Sequence, residues 1–137
     1  MNFHEVPSAT LHAMNTSTQP APAPLQPKAN FWVECQGQVV LSGWRVRLLE
    51  AVDQAGSISG AADLLDIPYK LAWERLHEME GGLGQQLVET RVGGTGGGGA
   101  SLTAVARDYV RRWHRFSDDL RPLVLQEFAK AFGSGEA

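Results

Sequence analysis

The sequence has one cysteine, no long apolar run and no excess of positive charge. These absences argue against a disulfide-bonded protein, a membrane or secreted protein, and a protein that binds nucleic acid through its overall charge. Cys35 has no second cysteine in the chain with which to form a disulfide, which favours a reducing compartment, the cytoplasm. No apolar run approaches the roughly 18 residues of a membrane span, and the N-terminus lacks a secretory signal. The net charge of −3 counts against nucleic-acid binding through bulk charge, so phosphate contact would need a local basic stripe.

The chain of 137 residues has the length of one domain with a modest core. Residues 1–29 hold most of the seven prolines among Ala, Ser, Thr and Gln, and such a segment buries little apolar surface. We therefore predict a disordered leader over 1–29, a folded domain over 30–132 and a tail over 133–137.

The first half of this domain reads as a strand followed by two helices. Segment 31–42 mixes aromatic and β-branched residues, which predicts a short or bent edge strand. An apolar face over 44–55 predicts a helix that ends at Gly56, and Ser57 is placed as the N-cap of the next helix. The apolar stripe of that second helix consists of Ile58, Ala61, Ala62 and Leu65.

A tight turn over 66–68 leads into a third helix, predicted over 68–80 with Pro68 at its first position. Its core-facing positions follow the helical period: Ala72, Leu76 and Met79. The residues predicted to end it are Gly81, Gly82 and Gly84.

The last part of the chain predicts a glycine-rich hairpin and a long helical stretch. An extended segment begins at Leu87, a flexible loop covers 91–100, and Leu102 closes the second strand. The pattern is helical again over 103–131, and Pro122 should break or kink it, giving two helices or one bent helix.

This order of elements predicts a mainly α fold with a small β-hairpin, a winged helix-turn-helix. In that topology the third helix enters the major groove of double-stranded DNA, and the hairpin is a wing beside the minor groove or the backbone. The candidate DNA-binding residues lie at the start of the second helix, on the outer side of the third helix and in the wing: Ser57, Ser59, Tyr69, Lys70, Trp73, Glu74, His77, Arg91, Gly94, Thr95, Gly96 and Gly97.

Each candidate has a chemical reason. Lys70 can bind guanine or phosphate, and Tyr69 can donate to a phosphate or contact a thymine methyl group. Glu74 can accept from cytosine, or orient Lys70, or face solvent. For Trp73 we favour a structural position, half-buried against the neighbouring helix, over contact with DNA. In the wing, glycines leave N–H groups free for phosphate. A nucleotide P-loop is disfavoured, because no Lys-Ser/Thr follows the glycines and the preceding segment does not lead into a βαβ unit.

The segment over about 43–120 resembles the N-terminal DNA-binding domain of the ModE family of molybdate-responsive transcription regulators. It is more distantly similar to the LysR-type winged helix. The specific pieces are YKLAW at 69–73 and the glycine wing GGTGGGG followed by Ala-Ser-Leu-Thr at 100–103.

The resemblance implies a homodimer whose two third helices address successive major grooves, roughly 34 Å apart. The helix after the wing would serve as a dimerisation helix, with an apolar face suited to a partner helix: Val105, Tyr109, Trp113 and Phe116. We expect no cofactor and no direct binding of molybdate, since the chain ends at Ala137 without room for the molybdate-binding domains of full-length family members.

A cluster of arginines on the same helix, Arg107, Arg111 and Arg115, suggests a second DNA surface, but a solvated face of a dimerisation helix is the favoured interpretation. An enzyme is not indicated, because Cys35 and the scattered histidines have no motif spacing. The alternative function is a dimeric interaction module that has lost strong DNA binding. The acidic residues Glu74, Glu78 and Glu80 on the third helix support that alternative.

Overall fold

The chain forms four helices and two antiparallel hairpins over residues 23–93 and 98–133, the part that the computed structural model describes. The elements are β1 (Trp32–Cys35), β2 (Gln38–Ser42), α1 (Gly43–Ala55), α2 (Ile58–Leu65), α3 (Tyr69–Leu83), β3 (Val88–Arg91), β4 (Gly99–Leu102) and α4 (Ala104–Phe132). This order confirms the winged helix-turn-helix. In the described part of the chain, none of the helices has the combined length and apolar character needed to cross a membrane.

The segment predicted as a single strand, 31–42, is a hairpin. β1 and β2 pair antiparallel, and the turn between them consists of Gln36 and Gly37. Both residues have positive φ, 54° and 80°, which is the signature of the tight two-residue turn that joins twisted strands. The prediction was wrong because the chain reverses at a Gln-Gly pair, whereas Asn-Gly or Asp-Gly would have signalled a hairpin.

α3 is longer than predicted and passes through two of the three glycines that were expected to end it, Gly81 and Gly82. The helix continues to Leu83 and ends at Gly84, whose φ of 65° places it in the left-handed region. A glycine inside a helix costs about 1 kcal/mol relative to alanine, so it weakens a helix without ending it. A residue with positive φ does end one.

α4 is one continuous helix across Pro122, so the alternative of two separate helices is wrong. The N-terminal segment lies along this helix on both sides of the proline. The ring of Phe31 is 5.8 Å from that of Trp113, and Pro27 borders the same groove as Val124 and Phe128. These apolar contacts offset the hydrogen bond that the proline cannot donate.

The core is centred on α1, which packs against α2, α3, α4 and β4. The predicted inward faces of α1, α2 and α3 are confirmed: their side chains are buried, and Leu65 at the end of α2 is partly buried against the core. The buried residues that were predicted for these faces are Val46, Leu48, Leu49, Val52, Ile58, Ala61, Ala62, Ala72, Leu76 and Met79.

Candidate nucleic-acid interface

α2 and α3 form a helix-turn-helix whose corners are fixed by local hydrogen bonds. The Ser57 hydroxyl caps α2 by accepting from the Gly60 backbone N–H at 2.9 Å. Asp66 ends α2 with φ 57°, and the Ile67 N–H donates to the Ala62 carbonyl at 3.0 Å. Pro68 then precedes α3 as its N-cap rather than as its first helical residue. This geometry turns the chain within three residues and presents the N-terminal end of α3.

The outer side of α3 carries the predicted contact residues. Tyr69, Lys70, Trp73 and His77 are exposed, and Glu74 is partly exposed. The Lys70 ammonium lies 3.8 Å from the Glu74 carboxylate, one turn along the helix. With 85% of its side chain exposed, Lys70 is held weakly and is available to an external phosphate or base.

The two predicted serines differ in what they do. Ser57 uses its hydroxyl within the fold as the cap of α2. Ser59, in the first turn of α2, is exposed. Because the Ser57 hydroxyl is already hydrogen-bonded to the backbone as a cap, Ser59 is the better placed of the two serines for an external contact.

Trp73 is exposed, with 43% of its surface accessible, and its ring contact is within its own helix. The ring stacks on His77, with centroids 3.7 Å apart and planes inclined by 25°. His77 Nδ1 is 2.9 Å from the Trp73 carbonyl oxygen. Because a carbonyl only accepts, Nδ1 carries the proton of this bond. The structure thus gives Trp73 a stacking partner in the next turn of α3.

The three glutamates of α3 do not form a repulsive acidic surface. The Glu78 carboxylate is bound by two guanidinium groups, Arg45 and Arg75, each at 3.0 Å. Glu80 accepts from the Leu87 and Val88 backbone N–H groups at 2.8 and 3.1 Å, joining the end of α3 to the start of β3. Sequence reasoning missed the Arg45–Glu78 ion pair and the role of Glu80, because no local pattern links residues that lie 33 or seven positions apart in different elements.

The wing consists of β3, β4 and the loop between them. Its strands pair from Val88↔Leu102 to Arg91↔Gly99. Four of the predicted wing residues lie outside the described part of the chain: Gly94, Thr95, Gly96 and Gly97. Arg91 is described and exposed, at the end of β3 that leads into the wing loop.

Gly99 makes the position of Arg91 possible. A β-carbon on Gly99 would overlap the Arg91 guanidinium and would lie 3.1 Å from the Gly56 carbonyl oxygen. The Arg91 guanidinium therefore lies against β4 at the place that a side chain at position 99 would occupy. Arg91 lies beside the turn that leads into α2, which brings the wing and the helix-turn-helix together at one edge of the domain.

The residues predicted for a dimer interface fall into two groups. Trp113 is 6% exposed and belongs to the core of the single chain, where its ring lies 5.8 Å from those of Phe31 and Phe116. Its inclusion in the interface is corrected for that reason, because a partner could contact little of its surface. Val105 and Phe116 are exposed, and Tyr109 is partly buried.

Three arginines of α4 are paired within the chain, whereas Arg115, the third member of the predicted cluster, is exposed. Arg107 donates to both oxygens of Asp53 on α1 at 2.9 and 3.0 Å. Arg111 and Arg112 contact Asp108 at 3.2 and 2.9 Å. These contacts favour the interpretation of this face as a charged surface of the helix over a second DNA-binding surface.

The profile of the bacterial regulatory helix-turn-helix proteins of the lysR family matches residues 45–107, which run from α1 to the start of α4. The solved structure of the CbnR_DBD–DNA complex has the same fold, with a TM-score of 0.51 and 23% identity. The alignment covers 64% of this chain and 95% of that one.

Among curated proteins, the chain is 43% identical over 72 residues to the "Molybdenum transport protein ModE" of Azotobacter vinelandii, covering 53% of this chain and 25% of that protein. It is 46% identical over 59 residues to the "DNA-binding transcriptional dual regulator ModE" of Escherichia coli K12, covering 43% and 22%. The chain thus spans about a quarter of the length of the curated relatives that it matches. The chain is therefore similar to the lysR-type regulatory helix-turn-helix proteins over residues 45–107, and to ModE proteins over stretches of 59–72 residues.

Proposed function

We propose that this chain binds double-stranded DNA in a sequence-specific manner through α2 and α3, and acts as a cytoplasmic transcription regulator of the ModE type. The observation that carries the proposal is the exposed outer side of α3, where Lys70 projects beside Tyr69 and Trp73 on the second helix of a helix-turn-helix. The lysR-type match over this segment and the ModE relatives support the same function.

The net charge of −3 does not oppose this proposal, because the charges near α3 are arranged in its favour. Glu78 is neutralised by Arg45 and Arg75, and Glu80 is engaged with the backbone. This pairing removes the observation that supported an interaction module without DNA binding. Lys70 and Arg91 remain as exposed cations on the proposed DNA side.

A titration of labelled duplex DNA at two salt concentrations tests the proposal. The affinity should fall with salt, since each phosphate contact releases counterions. Lys70→Ala should lower the affinity and, if Lys70 meets a phosphate, reduce the slope of log K against log salt by about 1. Lys130→Ala is the matched control, because Lys130 is also exposed and also lies beside a glutamate one turn away, 3.0 Å from Glu127, but on α4.

If the wild-type protein binds promoter DNA no better than an acidic control protein does, and shows no salt dependence, the proposal is wrong. If Lys70→Ala and Lys130→Ala bind alike while wild-type binding is specific, the readout lies elsewhere on the domain. Circular dichroism of both variants shows whether their helical content is unchanged.

We further propose that the protein is a homodimer joined through the outer face of α4. An exposed apolar stripe runs along this face, and Phe116, Leu120 and Leu123 line a shallow groove there. Leucine and phenylalanine side chains left half in water favour a partner that removes that surface from solvent. Two copies joined in this way would present two α3 helices to a pseudo-palindromic site.

Sedimentation analysis of Leu123→Ser tests the dimer. Leu123 is 51% exposed in the single chain, and Leu64 on α2 is 52% exposed, so Leu64→Ser removes a similar apolar surface away from α4. We expect Leu123→Ser to weaken self-association at least tenfold and Leu64→Ser to leave it unchanged. Equal behaviour of the two variants, or a monomeric wild-type protein, would exclude this interface.

The regulated genes are proposed to be linked to molybdenum, which rests on the printed names of the relatives. We propose that this link lies in the genes and not in binding of molybdate by this chain, since the similarity covers only 22–29% of those relatives. Equilibrium dialysis at micromolar molybdate should then detect no binding. Stoichiometric binding would overturn this part of the proposal.

A further inference from the structure

We propose that the aromatic face of α3, formed by Tyr69, Trp73 and His77, recognises thymine through its C5-methyl group. The inference rests on the proposed binding of DNA and specifies what the recognition helix reads. The three residues are spaced four apart, so they lie on one side of the helix, and all three are exposed.

The aromatic face is preorganised. His77 stacks on the Trp73 ring at 3.7 Å and donates from Nδ1 to the Trp73 carbonyl at 2.9 Å, so two contacts hold the pair together. His77 covers one side of the indole, and the remaining 43% of Trp73 is left accessible. A side chain whose position is already fixed loses little conformational entropy when it contacts a ligand. His77 is therefore a positioning residue for Trp73.

Few side chains of α3 are available to recognise bases through hydrogen bonds. Arg75 is bound to Glu78 at 3.0 Å, and Lys70 is the other cation of this helix, beside Glu74. Guanine is most often read by an arginine or lysine at its O6 and N7 atoms, and Lys70 is one such group. Beside Lys70, the exposed outer side of α3 carries the aromatic side chains of Tyr69, Trp73 and His77.

Thymine is the base that matches such a surface. Among the four bases, thymine alone displays an apolar group, its C5-methyl, on the edge that faces the major groove. An exposed tryptophan and an exposed tyrosine on a helix that enters this groove can remove that methyl group from water. We therefore expect at least one thymine in each half-site that is recognised through its methyl group and not through a hydrogen bond.

Replacement of thymidine by deoxyuridine removes the methyl group and keeps every hydrogen-bonding group of the base. The duplex with the highest affinity is first selected from a random-sequence library with the wild-type protein. The same duplex is then synthesised with one dT at a time replaced by dU. We expect at least one position at which the replacement weakens binding about fourfold, the factor for burial of one methyl group.

Two variants assign that penalty to the aromatic face. Trp73→Ala should bind the dT and dU duplexes equally well at the sensitive position. Trp32→Ala is the matched control, because Trp32 is also exposed but lies on β1, and it should keep the full penalty. Tyr69→Phe should keep the penalty too, because it removes only the hydroxyl group, and His77→Ala should reduce it by loosening the Trp73 ring.

The outcomes separate this inference from the proposed function. Specific binding that is insensitive to dU at every position overturns the methyl readout and leaves DNA binding intact. Failure to bind any duplex overturns the proposed function itself. If Trp73→Ala changes the oligomeric state in sedimentation while the dU penalty persists, the aromatic face contacts protein, and the thymine readout is wrong.

Discussion

The backbone N–H of Ala100, in the second strand of the wing, donates a 2.8 Å hydrogen bond to the carbonyl oxygen of Gly56. The same glycine ends α1, with φ 75° and its own N–H bonded to the Val52 carbonyl at 2.8 Å. One residue therefore fixes both the direction of the chain into α2 and the place where the wing attaches. This couples the wing to the helix-turn-helix through the backbone.

Replacement of Gly56 by alanine should lower the free energy of unfolding by about 1–2 kcal/mol, the cost of a left-handed backbone conformation for an L-residue. A β-carbon at this position would meet no atom within 4 Å, so the backbone conformation is the cause of the loss. Gly43→Ala is the control, since Gly43 also has open space but lacks a positive φ. Urea unfolding measures both variants, and equal stability of Gly56→Ala and the wild type would contradict the assignment.

Removal of the Glu80 carboxylate should destabilise the junction between α3 and β3. Glu80→Ala leaves the Leu87 and Val88 N–H groups without their acceptor, and an unsatisfied, partly buried donor costs about 1–3 kcal/mol. Glu80→Gln keeps an accepting oxygen and should retain part of the stability. Glu89→Ala, at an exposed position of β3, is expected to change stability by less than about 0.5 kcal/mol.

The junction at Glu80 shows where sequence reasoning about this fold stops. Period and capping residues identified all four helices, because those signals are local. The bounds of α3 were placed a few residues off, because the glycines at its end differ only in backbone conformation, and Gly84 alone ends the helix. The hairpin of 31–42 was missed, because its turn contains Gln36, a residue type that seldom adopts a positive φ. The role of Glu80 depends on a strand seven residues away, and no local pattern records it.

Gly82 is the position at which α3 meets the first hairpin, and its replacement by alanine should destabilise the domain. The β-carbon would lie 2.5 Å from Val40 Cγ1, a buried side chain of β2. Overpacking of this kind costs about 1–3 kcal/mol. The penalty should shrink in a Val40→Ala background, where the clashing methyl group is absent.

The adjacent glycine provides the control. Gly81 has open space around its would-be β-carbon, so Gly81→Ala should leave stability unchanged or raise it by up to about 1 kcal/mol through helix propensity. If urea unfolding shows that Gly82→Ala lowers the free energy of unfolding and Gly81→Ala does not, then packing requires a glycine at position 82. If both variants are stabilised, the close approach of Val40 to α3 is wrong.

The candidate site was predictable in its location but not in its internal contacts. The outer positions of α3 follow from the buried period of Ala72, Leu76 and Met79, since the opposite side must face solvent. The stacking of Trp73 on His77 depends on side-chain rotamers, which the spacing permits but does not determine. Trp113 was assigned to the dimer interface because helical period identifies an apolar face. It does not show whether that face is covered by the same chain or by a second copy.

Gly99→Ala should weaken DNA binding without unfolding the wing. The added methyl group displaces the Arg91 guanidinium, which is the end of a flexible side chain and can move at little cost in stability. If Arg91 contacts a phosphate from its position over Gly99, the displaced side chain loses that contact. The slope of log K against log salt should then fall by about 1 in Gly99→Ala, as in Arg91→Ala.

The double variant decides whether Gly99 acts through Arg91. Once Arg91 is alanine, the methyl group of Gly99→Ala has no guanidinium to displace, so the two losses of affinity should not add. Additive losses would mean that Gly99 affects DNA binding by another route, for example through its 3.1 Å approach to the Gly56 carbonyl. Thermal unfolding of each variant separates this from a general loss of the wing, because a wing detached from Gly56 would also lower the unfolding temperature.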